Sequence, residues 1–250
     1  MAEIRDAATV VLLRDGASGI EAWLLTRLAA LAFAGGMAVF PGGRVDPDDA
    51  ALPFPPGAAA PFAARLGCDE AAARMLVGAA VREVFEETEV LLTTPVADLA
   101  EARADVEAGR LRFGDLLRAH DLTVDPSGLR PWARWITPAM ETRRYDARFF
   151  VAALPDGAEP RDVTSESSSA GWFPVGAALE QAQRGELGML PPTIATLASL
   201  SAFGSVADAL AAAEGRTLEP VQPTVVRGPG GYRAELPDGT SFPVPASMFR

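Results

Sequence analysis

The sequence predicts an α/β fold, a mixed β-sheet layered with helices. Three observations predict it. The chain opens on a strand hairpin, continues with helical stretches interleaved with strand-like runs, and contains no internal repeat that would suggest a solenoid. The hairpin comes from two β-branched or apolar runs, Ala7 to Leu13 and Ile20 to Thr26, separated by Asp15-Gly16-Ala17-Ser18-Gly19, a signature of a longer loop. Ala38-Val39-Phe40 is a further short run, and regular structure is expected to stop at Pro41-Gly42-Gly43. From Asp48 to Pro61 the chain is rich in Ala, Pro and Gly and reads as a loop or insertion. Asp69 is a candidate N-cap for a long helix through Glu87, with Gly78 as its weak point. A second helical stretch follows from Val96 to Ala108. Trp132 to Ile136 and Tyr145 to Leu154 read as strands, Gly171-Trp172-Phe173 as a short strand, and Val175 to Arg184 as a helix.

After Gly188 the composition changes. Pro191 to Ala213 is apolar but carries Ser, Thr and Asp208, so it reads as a packed helix and not a membrane span. Val221 to Val226 and Tyr232 to Leu236 read as strands around Gly228-Pro229-Gly230-Gly231. Two units are therefore expected: residues 1–185, with an insertion at about 48–69, and a helix-plus-strand extension, 186–250, that packs on the core or on a second subunit.

Composition excludes several chemistries. The 250 residues hold 33 acidic and 22 basic side chains, all 22 of them arginine, for a net charge of −11. Without lysine there is no P-loop grip, no Schiff base and no kinase-type lysine. One histidine (His120) and one cysteine (Cys68) rule out His/Cys zinc sites, single-chain iron–sulfur clusters and intrachain disulfides. A metal would have to bind oxygen ligands, which suits Mg²⁺, Mn²⁺ or Ca²⁺. The acidity argues against nucleic acid as a partner, although local arginines and backbone amides could hold a small anion. Met-Ala-Glu-Ile-Arg-Asp lacks the basic-then-apolar profile of a secretory signal, so the expected setting is cytoplasmic, with no membrane partner. His120 is expected at a helix C-terminus, Cys68 as a small packed residue, and Trp132 and Trp135 in strand packing.

The most informative stretch is Arg82-Glu83-Val84-Phe85-Glu86-Glu87. On a helix, residues three and four apart share a face, so Glu83, Glu86 and Glu87 converge. Like charges at that spacing cost roughly 0.2–0.5 kcal/mol per pair when solvated, so a solvated acidic stripe is one reading. A divalent cation reverses the sign, because carboxylate oxygens are what Mg²⁺ prefers. Upstream, the glycines of Phe40-Pro41-Gly42-Gly43-Arg44 would let a ligand approach the backbone closely.

Together these segments resemble the Nudix hydrolases, whose box reads G-x5-E-x7-R-E-U-x-E-E-x-G-U, with U a bulky apolar residue. Arg82, Glu83, Val84, Glu86, Glu87 and Val90 fit it. Two positions depart: the first glutamate is Asp49, and Arg82 follows it by 33 positions instead of 8, so the box is split by an insertion of about 25 residues. The late glycine is Glu89, which puts the exit of the helix in question. Such a split looks like the peroxisomal acyl-CoA diphosphatase branch and its bacterial relatives. Ala32-Phe33-Ala34-Gly35-Gly36-Met37, Val45-Asp46-Pro47 and Arg144-Tyr145-Asp146-Ala147-Arg148-Phe149-Phe150 add to the likeness. The coenzyme-A signature of related enzymes is partly met: Arg27 and Gly36 stand where it wants them, and Ala32 replaces its second arginine.

The resemblance implies an α/β/α sandwich and Mg²⁺- or Mn²⁺-dependent hydrolysis of a diphosphate linkage in a nucleoside diphosphate derivative. CoA or acyl-CoA is the first candidate, giving 3′,5′-ADP and (acyl-)phosphopantetheine. ADP-ribose, NADH or dinucleotides as substrates, and a non-catalytic nucleotide-binding module, are the alternatives. Glu83, Glu86 and Glu87 are expected to hold the metal, and Arg82 to orient a carboxylate or phosphate beside Glu83. Glu166 is the candidate general base; Arg27, Gly42, Gly43 and Arg44 are expected to bind substrate. The apolar tail helix and the family's habit suggest a homodimer.

Overall fold

The opening hairpin sets the geometry of the site. In the computed structural model, which describes residues 2–31, 34–216, 218–228 and 231–244, strands β1 (Ile4–Gly16) and β2 (Gly19–Arg27) pair antiparallel. Gly16 faces Gly19, so the turn is only Ala17-Ser18, tighter than the longer loop expected. Gly19 permits this with φ +110°, a region that side chains rarely enter. The strands are paired as far as Leu13 and Ala22 and then part. The segment 38–44 enters the gap, β3 (Ala38–Val39) pairing with β2 and β4 (Gly42–Arg44) with β1. The strand does break at Phe40 and Pro41, as expected, but it resumes at once at Gly42. The Pro41 carbonyl accepts from Val10 N at 2.8 Å, and Gly42 and Gly43 continue as strand opposite Thr9 and Ala8.

The stretch expected as a loop carries structure of its own, a 3₁₀ turn at Pro47–Ala51 and helix α1 (Ala60–Leu66). Asp69 then caps α2 (Glu70–Thr88), its carboxylate accepting from Ala72 N at 2.8 Å. Ala73, Leu76, Val77, Ala80, Val81 and Val84 recur at helical spacing and are buried against the sheet. Gly78 is not a defect of this helix. A Cβ there would stand 2.6 Å from the Asp49 carbonyl oxygen, so its bareness lets the start of the insertion pack on α2. Next come β5 (Thr93–Thr94), α3 (Ala100–Glu107), α4 (Phe113–Ala119) and β6 (Thr123–Val124), which pairs with β5. The helix expected from Val96 begins only at Ala100, whose amide is taken by Asp98 Oδ1 at 3.1 Å. His120 is the C-cap of α4, as expected.

Strands β7 (Leu129–Ile136), β8 (Arg144–Ala153) and β9 (Ser167–Pro174) complete the centre of the main sheet, with β8 parallel to β1 and β9 antiparallel to β2. Helix α5 (Val175–Gln183) follows. The single helix expected over 191–213 is two, α6 (Pro191–Leu200) and α7 (Val206–Ala213). Ser205 caps the second by accepting from Asp208 N at 3.1 Å, while Asp15 accepts from Val206 N at 2.8 Å. The strand expected over 221–226 is also divided, before Pro223. β10 (Pro220–Val221) extends the main sheet beside β7, and β11 (Thr224–Gly228) joins β12 (Gly231–Glu235) and β13 (Ser241–Val244) in a separate sheet. Pro229 and Gly230, between two of those strands, lie outside the described residues, as do Ala32 and Phe33.

Alternation along the central strands divides the core in two. Val10, Leu12, Phe150 and Ala152 pack with residues of α1 and α2 on one face. Val11, Leu13, Phe149 and Val151 pack with residues of α5, α6 and α7 on the other. The result is the mixed-sheet α/β/α sandwich that the sequence predicts. Among the described residues no helix is long and apolar enough to cross a membrane.

Candidate active site

The acidic end of α2 is organised by one arginine. Arg82 donates from Nε to Asp49 Oδ1 at 2.8 Å and from Nη2 to Asp49 Oδ2 at 3.1 Å, a bidentate pair that bridges the insertion. Its Nη1 reaches Glu83 Oε1 at 2.8 Å and Glu86 Oε1 at 3.2 Å, and Nη2 also donates to the Arg44 carbonyl at 3.0 Å. Asp49, at the position of the box's first glutamate, is buried and bound by the displaced Arg82, so the split box is closed again in space. Arg82 is not on the cavity wall described below; it positions the acids around it.

The glycine loop meets this helix directly. Gly42 N donates to Glu87 Oε2 at 2.9 Å. At Gly43 a Cβ would fall 2.5 Å from Glu83 Oε1, so only glycine lets the strand lie this close to the carboxylate. Burial pushes Glu83 up to about 7, opposed by Arg82 and reinforced by Glu86. Glu86 is raised by burial, with Arg82 again opposing, and Glu87 is raised well above the usual range by burial and by Glu83. All three carboxyl groups resist ionising, an electrostatic condition that a nearby cation relieves.

Glu83, Glu86 and Glu87 line a cavity of about 720 Å³ together with Arg27, Gly42, Gly43, Arg44 and Glu166. Every expected site residue except Arg82 thus lines one cavity. Arg27 and Glu166 are brought together as an ion pair, Nη2 to Oε2 at 2.8 Å, and Leu28 N donates to the Glu166 carbonyl at 2.8 Å. Arg27 Nε is buried with no partner. Trp135 is mostly buried, as strand packing requires, and its exposed edge also lines the cavity. Trp132 is in the core and donates from Nε1 to Ser199 Oγ at 2.9 Å.

Two residues of α3 belong to the site without having been singled out by the sequence. Buried Arg103 donates from Nη1 to the Glu86 carbonyl at 2.9 Å and to Glu107 Oε2 at 2.8 Å. Glu107 Oε1 accepts from Thr164 Oγ1 at 3.0 Å and Ser165 N at 3.2 Å. Burial acts against the charge of Glu107, but the hydrogen bonds from Arg103, Ser165 and Thr164 outweigh it and hold the carboxyl below its usual range. The chain Glu86–Arg103–Glu107 therefore ties the end of α2 to the loop that carries Glu166. The only sequence sign of it is the four-residue spacing of Arg103 and Glu107.

The exit of α2 is resolved by Glu89. It takes the left-handed conformation, φ 64°, that a glycine would supply, and its amide donates to the Phe85 carbonyl at 2.9 Å. Arg161 lies 3.3 Å from its carboxylate and Arg103 4.0 Å. The helix ends as it would with glycine.

For a metal, the donor set is the relevant test. Glu83, Glu86 and Glu87 offer only carboxylate oxygens, on a buried surface where their charge is disfavoured, which suits a hard divalent cation. As the side chains stand, no three acidic, histidine or cysteine groups among the described residues converge on one point; Arg82 holds Glu83 and Glu86 instead.

Known proteins are similar to this chain in sequence and in fold. The family model of the NUDT19 Nudix domain matches residues 63–200, more than half of the chain. "Putative nudix hydrolase 7" of Caenorhabditis elegans is 31% identical over 170 residues, covering 65% of this chain and 50% of that protein. The acyl-coenzyme A diphosphatase NUDT19 of Homo sapiens is 30% identical over 159 residues, 56% of this chain and 42% of that protein. The chain thus spans about half the length of the curated relatives it matches. A crystal structure of a NUDIX hydrolase from Alicyclobacillus acidocaldarius superposes with a TM-score of 0.73 at 31% identity, covering 88% of this chain and 100% of that one. With the split box closed by Asp49 and Arg82, and the glycine loop seated on the acidic helix, the chain belongs to the Nudix hydrolase family, in its NUDT19 branch.

Proposed function

We propose that this protein uses Mg²⁺ or Mn²⁺ to hydrolyse the diphosphate linkage of a nucleoside diphosphate derivative, with CoA or acyl-CoA as substrate and 3′,5′-ADP and (acyl-)phosphopantetheine as products. The observation that carries the reading is the hydrogen bond from Gly42 N to Glu87 Oε2, which sets the glycine loop and the three glutamates on one wall of a cavity large enough for a nucleotide derivative. The names of the relatives favour the acyl-coenzyme A diphosphatases.

Glu83, Glu86 and Glu87 would hold the cation, which supplies charge neutralisation and polarises phosphate oxygens. The chain's own groups do the rest. The glycine backbone leaves room for the diphosphate beside the helix. Arg27 and Arg44 pair with phosphate oxygens; Arg27 exchanges Glu166 for the substrate as it does so. Released from that ion pair, Glu166 accepts a proton from water as the water oxygen bonds to phosphorus and the bridging oxygen leaves with the other phosphate. Arg82 stays behind the wall, bound to Asp49, and orients Glu83 and Glu86 by hydrogen bonds.

One screen tests this. The protein is incubated with CoA, an acyl-CoA, NADH, ADP-ribose and nucleotide sugars, with Mg²⁺ or Mn²⁺, and the products are separated. The expected result is 3′,5′-ADP from CoA or acyl-CoA, abolished in Glu87→Gln. Cleavage of ADP-ribose or NADH alone would move the substrate assignment. Binding without cleavage under either metal would leave a non-catalytic nucleotide-binding module.

A further inference from the structure

Of the arginines among the described residues, two make no ion pair, hydrogen bond or ring contact through their side chains: Arg44 and Arg143. Both line the same cavity. In a chain with 33 acids and 22 bases, nearly every described arginine has found a partner, so two unpaired cations on one cavity stand apart from the rest. Free guanidinium groups of this kind suit phosphate, which they can grip through two parallel hydrogen bonds.

Sheet register separates the two. Arg44 is opposite Ala7, and Ala7 is the partner of Ala147, four residues beyond Arg143. At about 3.3 Å per residue along a strand and about 4.8 Å between strands, their Cα atoms are roughly 16 Å apart. They share a face: Arg143, Tyr145, Ala147 and Phe149 alternate onto the side where Ala7 and Arg44 stand, and all six line the cavity. Arg44 sits beside the acidic helix, its carbonyl bonded to Arg82. Arg143 sits on the β7–β8 loop at the far end, with Glu141 as the acid nearest in sequence on that part of the wall.

We propose that Arg143 is a specificity-determining residue that grips a phosphate monoester of the substrate distinct from the diphosphate that is cleaved. The proposal rests on the diphosphatase reading for the orientation of the ligand, with its scissile group at the glutamates and Arg44. It adds that the preferred substrates carry a further phosphate, set apart from the diphosphate by the sugar that bears both.

The test compares CoA with dephospho-CoA, which differ by that monoester alone, in the wild type, Arg143→Ala and Arg112→Ala. Arg112 pairs with Asp48 away from the cavity and controls for the loss of one surface charge. The expected result is a KM for dephospho-CoA roughly 10- to 100-fold above that for CoA in the wild type, the worth of a hydrogen bond between charged groups. That ratio should collapse toward one in Arg143→Ala, persist in Arg112→Ala, and be partly restored in Arg143→Lys. If the wild type cleaves both and Arg143→Ala keeps its ratio, Arg143 is a solvated surface cation and the inference fails while the diphosphatase reading stands. If neither compound is cleaved, that reading fails, and calorimetric binding of 3′,5′-ADP against 5′-AMP decides the site alone. A preference for 3′,5′-ADP lost in Arg143→Ala supports it; equal affinity for the two ligands overturns it.

Discussion

Asp49 grips Arg82 from 33 positions away in sequence, both carboxylate oxygens accepting, at 2.8 and 3.1 Å. Asp49 is almost wholly buried and Arg82 largely so, with side-chain exposures of 1% and 15%. Removing one partner of such a pair leaves the other charge stranded, at about 3–5 kcal/mol. Glu83 and Glu86 also pair with Arg82 and soften the loss, so Asp49→Ala is expected to lower unfolding free energy by about 3 kcal/mol. Urea denaturation measures it. A change below about 1 kcal/mol would mean that the insertion is not braced through this contact.

The raised carboxyl groups give the protein a pH signature when no metal is present. Glu83 goes from an ordinary 4.5 to about 7 on folding, and Glu86 and Glu87 also rise. A group raised in the folded state binds its proton more tightly there, so the stability it contributes is complete below about 4.5 and is lost as pH climbs through about 7. For Glu83 the difference corresponds to roughly 3 kcal/mol. In EDTA the melting temperature should fall between pH 5 and pH 8; Glu83→Gln should flatten the fall, and saturating Mg²⁺ or Mn²⁺ should reverse much of it. A metal-free melting temperature that holds or rises over that range would contradict the account.

What could be read from the sequence divides along the same physical lines. The hairpin, α2 and β7 to β9 are legible because period-2 and helical apolar patterns are local, and Asp69 marks its helix start by its own chemistry. The three glutamates are legible because one helix carries them. The break at Ser205 and the late start of α3 depend on single side chains winning backbone amides, which composition does not weigh. Gly78 reads as a flaw until the Asp49 carbonyl is found against it, and Glu89 reads as a defect until its left-handed backbone is seen. Arg103 and Glu107 escape for a stronger reason: their partners, Glu86 and Thr164, lie 17 and 57 residues away, and no local pattern encodes that meeting.

That meeting has its own consequence. Glu107 holds the loop before Glu166 by accepting from Thr164 and Ser165, and is itself held by Arg103. Glu107→Gln keeps the shape but weakens the charge-assisted bonds, so Glu166 should be placed less well for taking a proton. The expected effect is a roughly 10-fold lower kcat with KM little changed, since a catalytic base contributes about 10²–10⁴-fold and only its placement is lost. Amide hydrogen exchange at residues 164–167 should quicken in parallel. Unaltered exchange and unaltered kcat would show that the loop is held by other contacts.

The two glycines of the loop should answer differently to the same substitution, because different atoms stand where a Cβ would go. At Gly43 the obstacle is the far end of a side chain, Glu83 Oε1 at 2.5 Å, which can swing aside. At Gly42 it is the Ala8 carbonyl oxygen at 2.4 Å, part of the β1 backbone paired on both sides, which cannot. Gly43→Ala should therefore fold with little loss of stability but displace a proposed metal ligand, and a misplacement of about 1 Å near reacting groups can lower activity about 100-fold. Gly42→Ala should be destabilised by about 1–3 kcal/mol, the usual penalty of overpacking, and should also disturb the bond to Glu87. Thermal melts and metal-dependent kcat/KM on the two variants, measured side by side, separate the cases. Equal losses of stability in both would show that Glu83 is as fixed as the strand, and that Arg82 locks it too firmly to move.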